Sequence, residues 1–294
     1  MKWNWSKRQR MTGYLFIAPN MLGILIFFLF PTVFSFVLMF SDWKFASGKT
    51  PKFIGLDNFK HLFNDELFFI SLKNTVLFLA SVPVSLVLAF LIAILLNRSV
   101  FLKSVLRAMY FLPYITSGVA VAFVWMVLFQ PRMGPINEIL RAIGIDNPPG
   151  WLSTTTSSMY AIDIIWSWHL IGFFMIIYLA ALQDIPSELL EAAKMDGAKP
   201  WQTILRIILP LVSPTTLLLM ITGFISTVKT FGIIEAVTGG GPGNSTTILS
   251  LFVYKTAFSY YEMGYASAIS WVLFMIVMSI TMLQWHVQKK WVHY

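Results

Sequence analysis

The sequence has no cysteine among its 294 residues, which excludes disulfides, a cysteine nucleophile, thiolate metal sites and iron–sulfur clusters. Charge is also scarce. Asp, Glu, Lys and Arg make up 12% of the chain, against ~25% in a soluble domain, while 57% is hydrophobic. No long polar stretch remains from which a soluble domain could be built. The four histidines, His61, His169, His286 and His293, are scattered, with no HExxH and no triad-like grouping, so neither a catalytic centre nor a metal site is expected. A nucleotide motif is missing as well. Gly48-Lys49-Thr50 ends like a phosphate-binding loop, but the glycine required five residues before Gly48 is Trp43. Gly239-Gly240-Gly241-Pro242-Gly243 follows no strand and reads as a sharp turn.

What is present is apolar sequence in long runs. Six stretches can cross the ~30 Å hydrocarbon core of a bilayer, at approximately 12–40, 71–96, 105–130, 159–183, 207–228 and 265–287. The apolar run of the first, about Tyr14 to Phe40, exceeds the ~7–15 residues of a signal-peptide core, so a retained span is expected. The net charge of +8 then concerns topology rather than nucleic acid. The N-terminal cluster (Lys2, Lys7, Arg8, Arg10), the 97–107 loop (Arg98, Lys103, Arg107) and the C-terminal tail (Lys289, Lys290) carry basic residues and no acidic ones. Six spans place all three on one side, the cytoplasm, so both termini are expected there. The 41–70 loop, with Lys44, Lys49, Lys52 and Lys60, runs against the rule; it is long, and it also carries Asp42, Asp57, Asp65 and Glu66. Asp57 or Asn58 is expected to cap a short interfacial helix over 56–63, and Asn74 and Thr75 to cap the second span. Pro19, Pro31, Pro83, Pro113, Pro210 and Pro214 punctuate the spans, as suits a bundle around a pathway. The expected fold is all-α: a polytopic membrane bundle of six transmembrane helices, one domain over 1–294, with a cytoplasmic loop at 184–206.

That loop is a polar island. Ser187 is placed to cap a helix start, with Glu188 and Glu191 near the positive end of its dipole. Leu189, Ala192 and Ala193 share a face; Gly197 breaks the run; Pro200 opens a second short helix with Trp201, Ile204, Leu205 and Ile208 at i, i+3, i+4, i+7. Two such helices, too polar to span, need a surface to dock against. Polar residues inside spans are the other candidates for function. Span four carries Asp163, Trp166, Trp168 and His169, and Trp166, His169 and Phe173 fall on one helical face that suits sugar rings. In span five Gly223, Thr227 and Thr230 share a face. Interhelical packing and a lined pathway are both open readings for these residues. Lys229 and Glu235, near the outer end, can pair or snorkel.

Glu191-Ala192-Ala193, Asp196-Gly197-Ala198, Trp201-Gln202 and Ile207-Ile-Leu209-Pro210 closely resemble the E-A-A-x-x-D-G-A…I-x-L-P signature of ABC-importer permeases. Ile204 stands where an aromatic residue is frequent. Phe53-Ile-Gly55-Leu56-Asp57-Asn58-Phe59, the Gly-Gly-Gly241-Pro242 turn and Gly264-Tyr-Ala266-Ser-Ala268 resemble the carbohydrate-importer branch, specifically a maltose-type first permease subunit. The resemblance implies a bacterial inner-membrane protein and no enzymatic activity of its own. It implies that the island is a coupling-helix pair seated in a cytoplasmic ATPase, Glu191 pairing with a basic residue there. ATP and Mg would be bound by that partner, and no cofactor by this chain. The implied assembly holds a second, homologous permease, two ATPase subunits and an extracytoplasmic solute-binding protein, in a lipid bilayer and without nucleic acid. The cargo implied is an oligosaccharide or related carbohydrate. Alternatives are a non-sugar solute such as glycerol phosphate or an amino acid, or an ion-coupled secondary transporter, whose inverted repeats and intramembrane carboxylates are not evident here.

Overall fold

The computed structural model describes residues 2–48, 50–97 and 101–289, which form helices and connecting turns, with two isolated β-bridges and no strand among the described residues. Lys49, Arg98, Lys290 and His293, which entered the charge, loop and histidine readings, lie outside the described residues.

Among the described residues, four helices are long and apolar enough to cross a membrane: α1 (Gln9–Leu38), α3 (Glu66–Asn97), α7 (Ser158–Gln183) and α13 (Met263–Gln288). The short α2 (Asp57–Leu62) lies between the first two. Two further candidates are bent pairs, and the number of spans reaches six if each pair counts as one. In the first, α4 (Lys103–Ile115) and α5 (Gly118–Leu128) meet at 105°, so the run expected over 105–130 is not one continuous helix. Pro113 has no N–H to bond back to the Met109 carbonyl, and Thr116 and Ser117 then adopt extended conformations. The Thr116 hydroxyl turns back to donate to the Leu112 carbonyl at 2.7 Å. In the second pair, α9 (Pro200–Leu211) and α10 (Ser213–Lys229) meet at 66°. The remaining α-helices among the described residues are α6 (Pro135–Ala142), α8 (Ser187–Met195), α11 (Gly232–Val237) and α12 (Leu249–Tyr254).

The chain divides into two compact units. The first comprises residues 1–64 and 253–272. Its first helix turns apolar side chains outward along its length, with 6% of its most apolar window buried, as befits a helix solvated by lipid. Asn58 holds the end of that helix. Its buried amide donates to the Met39 and Ser41 carbonyls at 2.9 and 2.8 Å. Neither Asp57 nor Asn58 therefore caps α2: the N-cap is Leu56 without a side-chain bond, Asn58 is engaged elsewhere, and the Asp57 carboxylate accepts from Lys60 at 2.8 Å. Gly264 admits the Ser41 carbonyl so closely that a Cβ would overlap it, and the Gly264 N–H donates to the Trp43 carbonyl at 3.1 Å.

The second unit comprises residues 65–252 and 273–294. Its axis is α7, whose 26 residues measure about 39 Å at 1.5 Å per residue. This helix packs along α3 and against α4 and α10. Ile162, Ile165, Phe174, Met175 and Tyr178 are buried in the packing, and the Tyr178 hydroxyl donates to Thr216 at 3.0 Å. Gly172 sits where α7 meets α4: a Cβ there would collide with the Tyr110 carbonyl, so the two backbones touch directly. Asn74 and Thr75 are interior residues of α3, whose N-terminus is capped by Asp65, accepting from the Leu67 N–H at 2.9 Å. They serve a distant loop instead. Asn74 donates to the carbonyls of Asn244 and Thr247 at 3.0 and 2.9 Å, and the Thr75 hydroxyl accepts from the Leu249 N–H at 2.9 Å. The loop itself turns through Gly239, Gly240 and Gly243, all at positive φ, with a cis Gly241-Pro242 bond.

Candidate functional site

The polar island folds as two short helices, α8 and the start of α9, joined at Gly197. Its φ of +74° is a left-handed conformation that a Cβ disfavours. Ser187 is the first helical residue rather than the cap; Pro186 holds the N-cap position with ψ 130° and without a side-chain bond. Lys199 precedes Pro200, and its N–H donates to the Gln202 side chain at 2.7 Å, closing the first turn of α9. Of the residues singled out from sequence, Glu191, Ala192, Asp196 and Gly197 are exposed, Ala198 and Pro210 half-buried and Ala193 buried. The expected stripes split by depth. Ile204 and Ile208 face inward, lining with Leu182, Leu190 and Ile94 a cavity of about 460 Å³. Leu189, Met195, Trp201 and Leu205 face outward, with relative exposures of 44%, 88%, 54% and 54%. The island thus presents four large apolar side chains beside exposed carboxylates, Glu188, Glu191 and Asp196. Such a surface is built to be covered.

The second candidate region lies where α7, α4 and α10 converge. A cavity of about 340 Å³ is lined by Tyr114, Trp166, His169, Leu170, Phe173, Phe174, Thr222 and Ser226. Its aromatic wall is ordered by stacking. Tyr114 and Phe173 lie 4.7 Å apart at 15°, and Trp166 and His169 lie 5.1 Å apart at 16°. Trp166 is fixed from behind, its indole N–H donating to the Thr227 hydroxyl at 2.8 Å, with both residues buried. His169 retains a buried Nδ1 with no hydrogen-bond partner among the described residues. Flat aromatic faces beside two hydroxyls can stack on a sugar and satisfy its hydroxyl groups.

The structure therefore brings Trp166, His169 and Phe173 together on one cavity wall. Gly223 and Thr227 lie behind it. A Cβ on Gly223 would come within 2.8 Å of Phe174 and 2.9 Å of Val82, so this glycine permits close helix packing. Thr230 ends α10, and its carbonyl accepts from Ser250 at 2.8 Å. Sequence reasoning left Thr222 and Ser226 off the face it chose in span five, and it passed over Tyr114. The first two were visible as an i, i+4 hydroxyl pair one position away from the face chosen; Tyr114 was not, because its approach depends on how α4 packs on α7. Lys229 and Glu235 form no ion pair with each other among the described residues.

Asp163 and Trp168 belong to another face of α7. Together with Trp125, Lys73, Asn74 and apolar residues of α3 they line a larger groove of about 820 Å³. One Asp163 carboxylate oxygen and the Trp125 indole nitrogen are buried there without a hydrogen-bond partner. Among the described residues no group of three or more His, Asp or Glu side chains is placed to hold a metal ion.

Residues 81–291 match the family described as binding-protein-dependent transport system inner membrane component. A probable ABC transporter permease protein, YesP, of Bacillus subtilis (strain 168) is 38% identical, over 98% of this chain and 94% of its own. A probable starch degradation products transport system permease protein, AmyD, of Thermoanaerobacterium thermosulfurigenes is 33% identical over 94% of each. Among solved structures, the chain resembles a bacterial alginate ABC transporter in complex with an alginate pentasaccharide-bound periplasmic protein. The TM-score is 0.82 at 25% identity, over 98% of this chain and 97% of that one.

Proposed function

The chain belongs to the family of binding-protein-dependent transport system inner membrane components, and from that membership we propose that it is one of two permease subunits through which an ATP-driven importer moves a sugar inward. As a family member it is a multi-pass membrane protein and a transport component, not an enzyme. Sugar as cargo is supported by the relatives: one is named for starch degradation products, and the alginate transporter was solved with its pentasaccharide-loaded periplasmic protein. The aromatic and hydroxyl lining of the cavity between α7 and α10 fits the same class of solute.

The observation that carries the reading is the island. Leu189, Met195, Trp201 and Leu205 stand exposed around the Gly197 turn, with Glu191 beside them, on a chain that has no nucleotide motif of its own. The proposed partner is a cytoplasmic ATPase carrying ATP and Mg, whose cleft takes the four apolar side chains while a basic residue meets Glu191. Residues 184–206 are then cytoplasmic, both termini lie on that side, and each bent pair is one of six spans in a single permease domain. Closure of two ATPase subunits pulls on α8 and α9. Because α7 and α4 touch backbone to backbone at Gly172, the pull moves a rigid group of helices, and the cavity opens alternately to either side between this permease and its homologous partner. An extracytoplasmic solute-binding protein delivers the sugar to the outer loops. Trp166, His169 and Phe173 stack on the cargo; Gly223, Thr227 and Thr230 hold that wall in place.

The test is coupling. In proteoliposomes holding the whole importer, Glu191→Ala and Gly197→Val are expected to insert normally but to lower sugar uptake per ATP hydrolysed roughly tenfold or more, a loss of ~1.4 kcal/mol or above. Unchanged uptake in both variants would refute the assignment of the island.

A further inference from the structure

The cavity wall on α10 continues past the residues that line it. Thr222 and Ser226 are followed on the same helical face by Lys229, at i, i+4 and i+7, and all three are exposed. Lys229 begins about 4.5 Å farther along the helix axis than Ser226, less than the reach of its own side chain. It has no hydrogen-bond or ion-pair partner among the described residues. None of the residues lining the cavity is acidic or carries a fixed positive charge, and Lys229 is the charged residue of α10, the helix that forms one of its walls. Asp163, the acidic residue inside α7, lines the other groove. Exposed in the last turn of α10, the Lys229 ammonium has no anionic side chain beside it among the described residues and is available to an anionic group of a solute.

We propose that Lys229 recognises an anionic group of the transported solute, so that the cargo is an acidic saccharide, carrying carboxylate or phosphate, rather than a neutral one. The inference rests on the sugar reading above and narrows it. The ring of such a solute stacks on the Tyr114–Phe173 and Trp166–His169 faces, its hydroxyls meet Thr222 and Ser226, and its anionic group reaches Lys229. A structural role also suits a lysine in the last turn of a helix, where it offsets the carbonyl end of the dipole. That role is independent of the solute and separates cleanly in an experiment.

The complete importer, with both permeases, the ATPase pair and the solute-binding protein, is reconstituted in proteoliposomes. Uptake is followed for trigalacturonate, glucose 1-phosphate and maltotriose, which represent carboxylate, phosphate and neutral saccharides. The wild type is expected to carry at least one anionic probe in preference to maltotriose, and which one identifies the anion. Lys229→Gln is expected to raise the KM for that probe about tenfold, equivalent to ~1.4 kcal/mol, while Lys229→Arg retains most of the uptake. Detergent-extracted complex measured by size exclusion checks that Lys229→Gln still assembles. Preferential uptake of maltotriose, or an unchanged KM for the anion in Lys229→Gln, would overturn the proposal and leave the sugar reading standing. Uptake of none of the three, with ATP hydrolysis intact, would overturn both.

Discussion

Replacing Thr227 by valine removes one oxygen from the interior and keeps the shape of the side chain. Thr227 is fully buried and Trp166 is 6% exposed, and the indole N–H donates to the threonine hydroxyl at 2.8 Å. Valine leaves that N–H with no partner and no water. A buried donor left unpaired costs ~1–3 kcal/mol, and hydrogen bonds between transmembrane helices fall toward the low end, at ~0.6–1.7 kcal/mol. Taking about 1.5 kcal/mol, and ~2–4 °C per kcal/mol for a protein of this size, the midpoint of thermal unfolding in detergent should fall by about 3–6 °C. Thr227→Ser keeps the hydroxyl and loses only a methyl group, so it should fall by less. The consequence extends to the cavity, because the indole tethered by Thr227 stacks on His169 at 5.1 Å. Solute affinity should therefore weaken in Thr227→Val and change little in Thr227→Ser. A double-mutant cycle with Trp166→Phe isolates the pair, and a coupling energy of at least ~0.5 kcal/mol is expected for residues in direct contact. A coupling near zero, or a serine variant less stable than the valine one, would refute the argument that the hydrogen bond holds the wall.

Two further outcomes test the frame around it. Gly172→Ala places a methyl group on the Tyr110 carbonyl and should force α4 and α7 apart, at a cost of ~1–3 kcal/mol for an overpacked contact; a thermal midpoint equal to wild type would show that the backbones do not touch. A cysteine at position 199 enters a chain with no other, so a membrane-impermeant thiol reagent should label it in inverted vesicles and not from outside intact cells; labelling from outside would reverse the topology.

The helical bundle was legible because hydropathy is a local property: a run such as 159–183 needs no partner to declare itself, and Ser158–Gln183 is the helix that forms there. The island was equally readable, since Gly197 and Pro200 act on their own turn of backbone. The readings that missed concern polar side chains whose partners lie far away in sequence. Asn58, Asn74 and Thr75 each had a plausible local cap in view, and each serves carbonyls or an N–H between 17 and 174 residues distant. The break after Ile115 escaped notice for a related reason. Pro113 was expected to kink one span, and the extended pair Thr116–Ser117, which turns a kink into a corner of 105°, has no strong sequence signal. Of the cavity, the α7 face Trp166–His169–Phe173 could be read from periodicity alone, whereas Tyr114 reaches it through the packing of α4 on α7, a contact between residues far apart in sequence.

The bonds from Asn74 and Thr75 to residues 244–249 also impose an order in time. These two side chains leave the ribosome some 170 residues before the backbone groups they will hold. At ~5–20 residues per second that is an interval of roughly 10–30 s, during which α3 is already formed with the Asn74 amide unpaired and the Thr75 hydroxyl bonded only within the helix, to the Ser71 carbonyl at 2.7 Å. The nascent protein must keep them hydrated, or shielded by the insertion machinery, until the penultimate stretch of chain arrives. A ribosome that stalls before Asn244 leaves that latch open, and quality-control proteases have a defect to recognise.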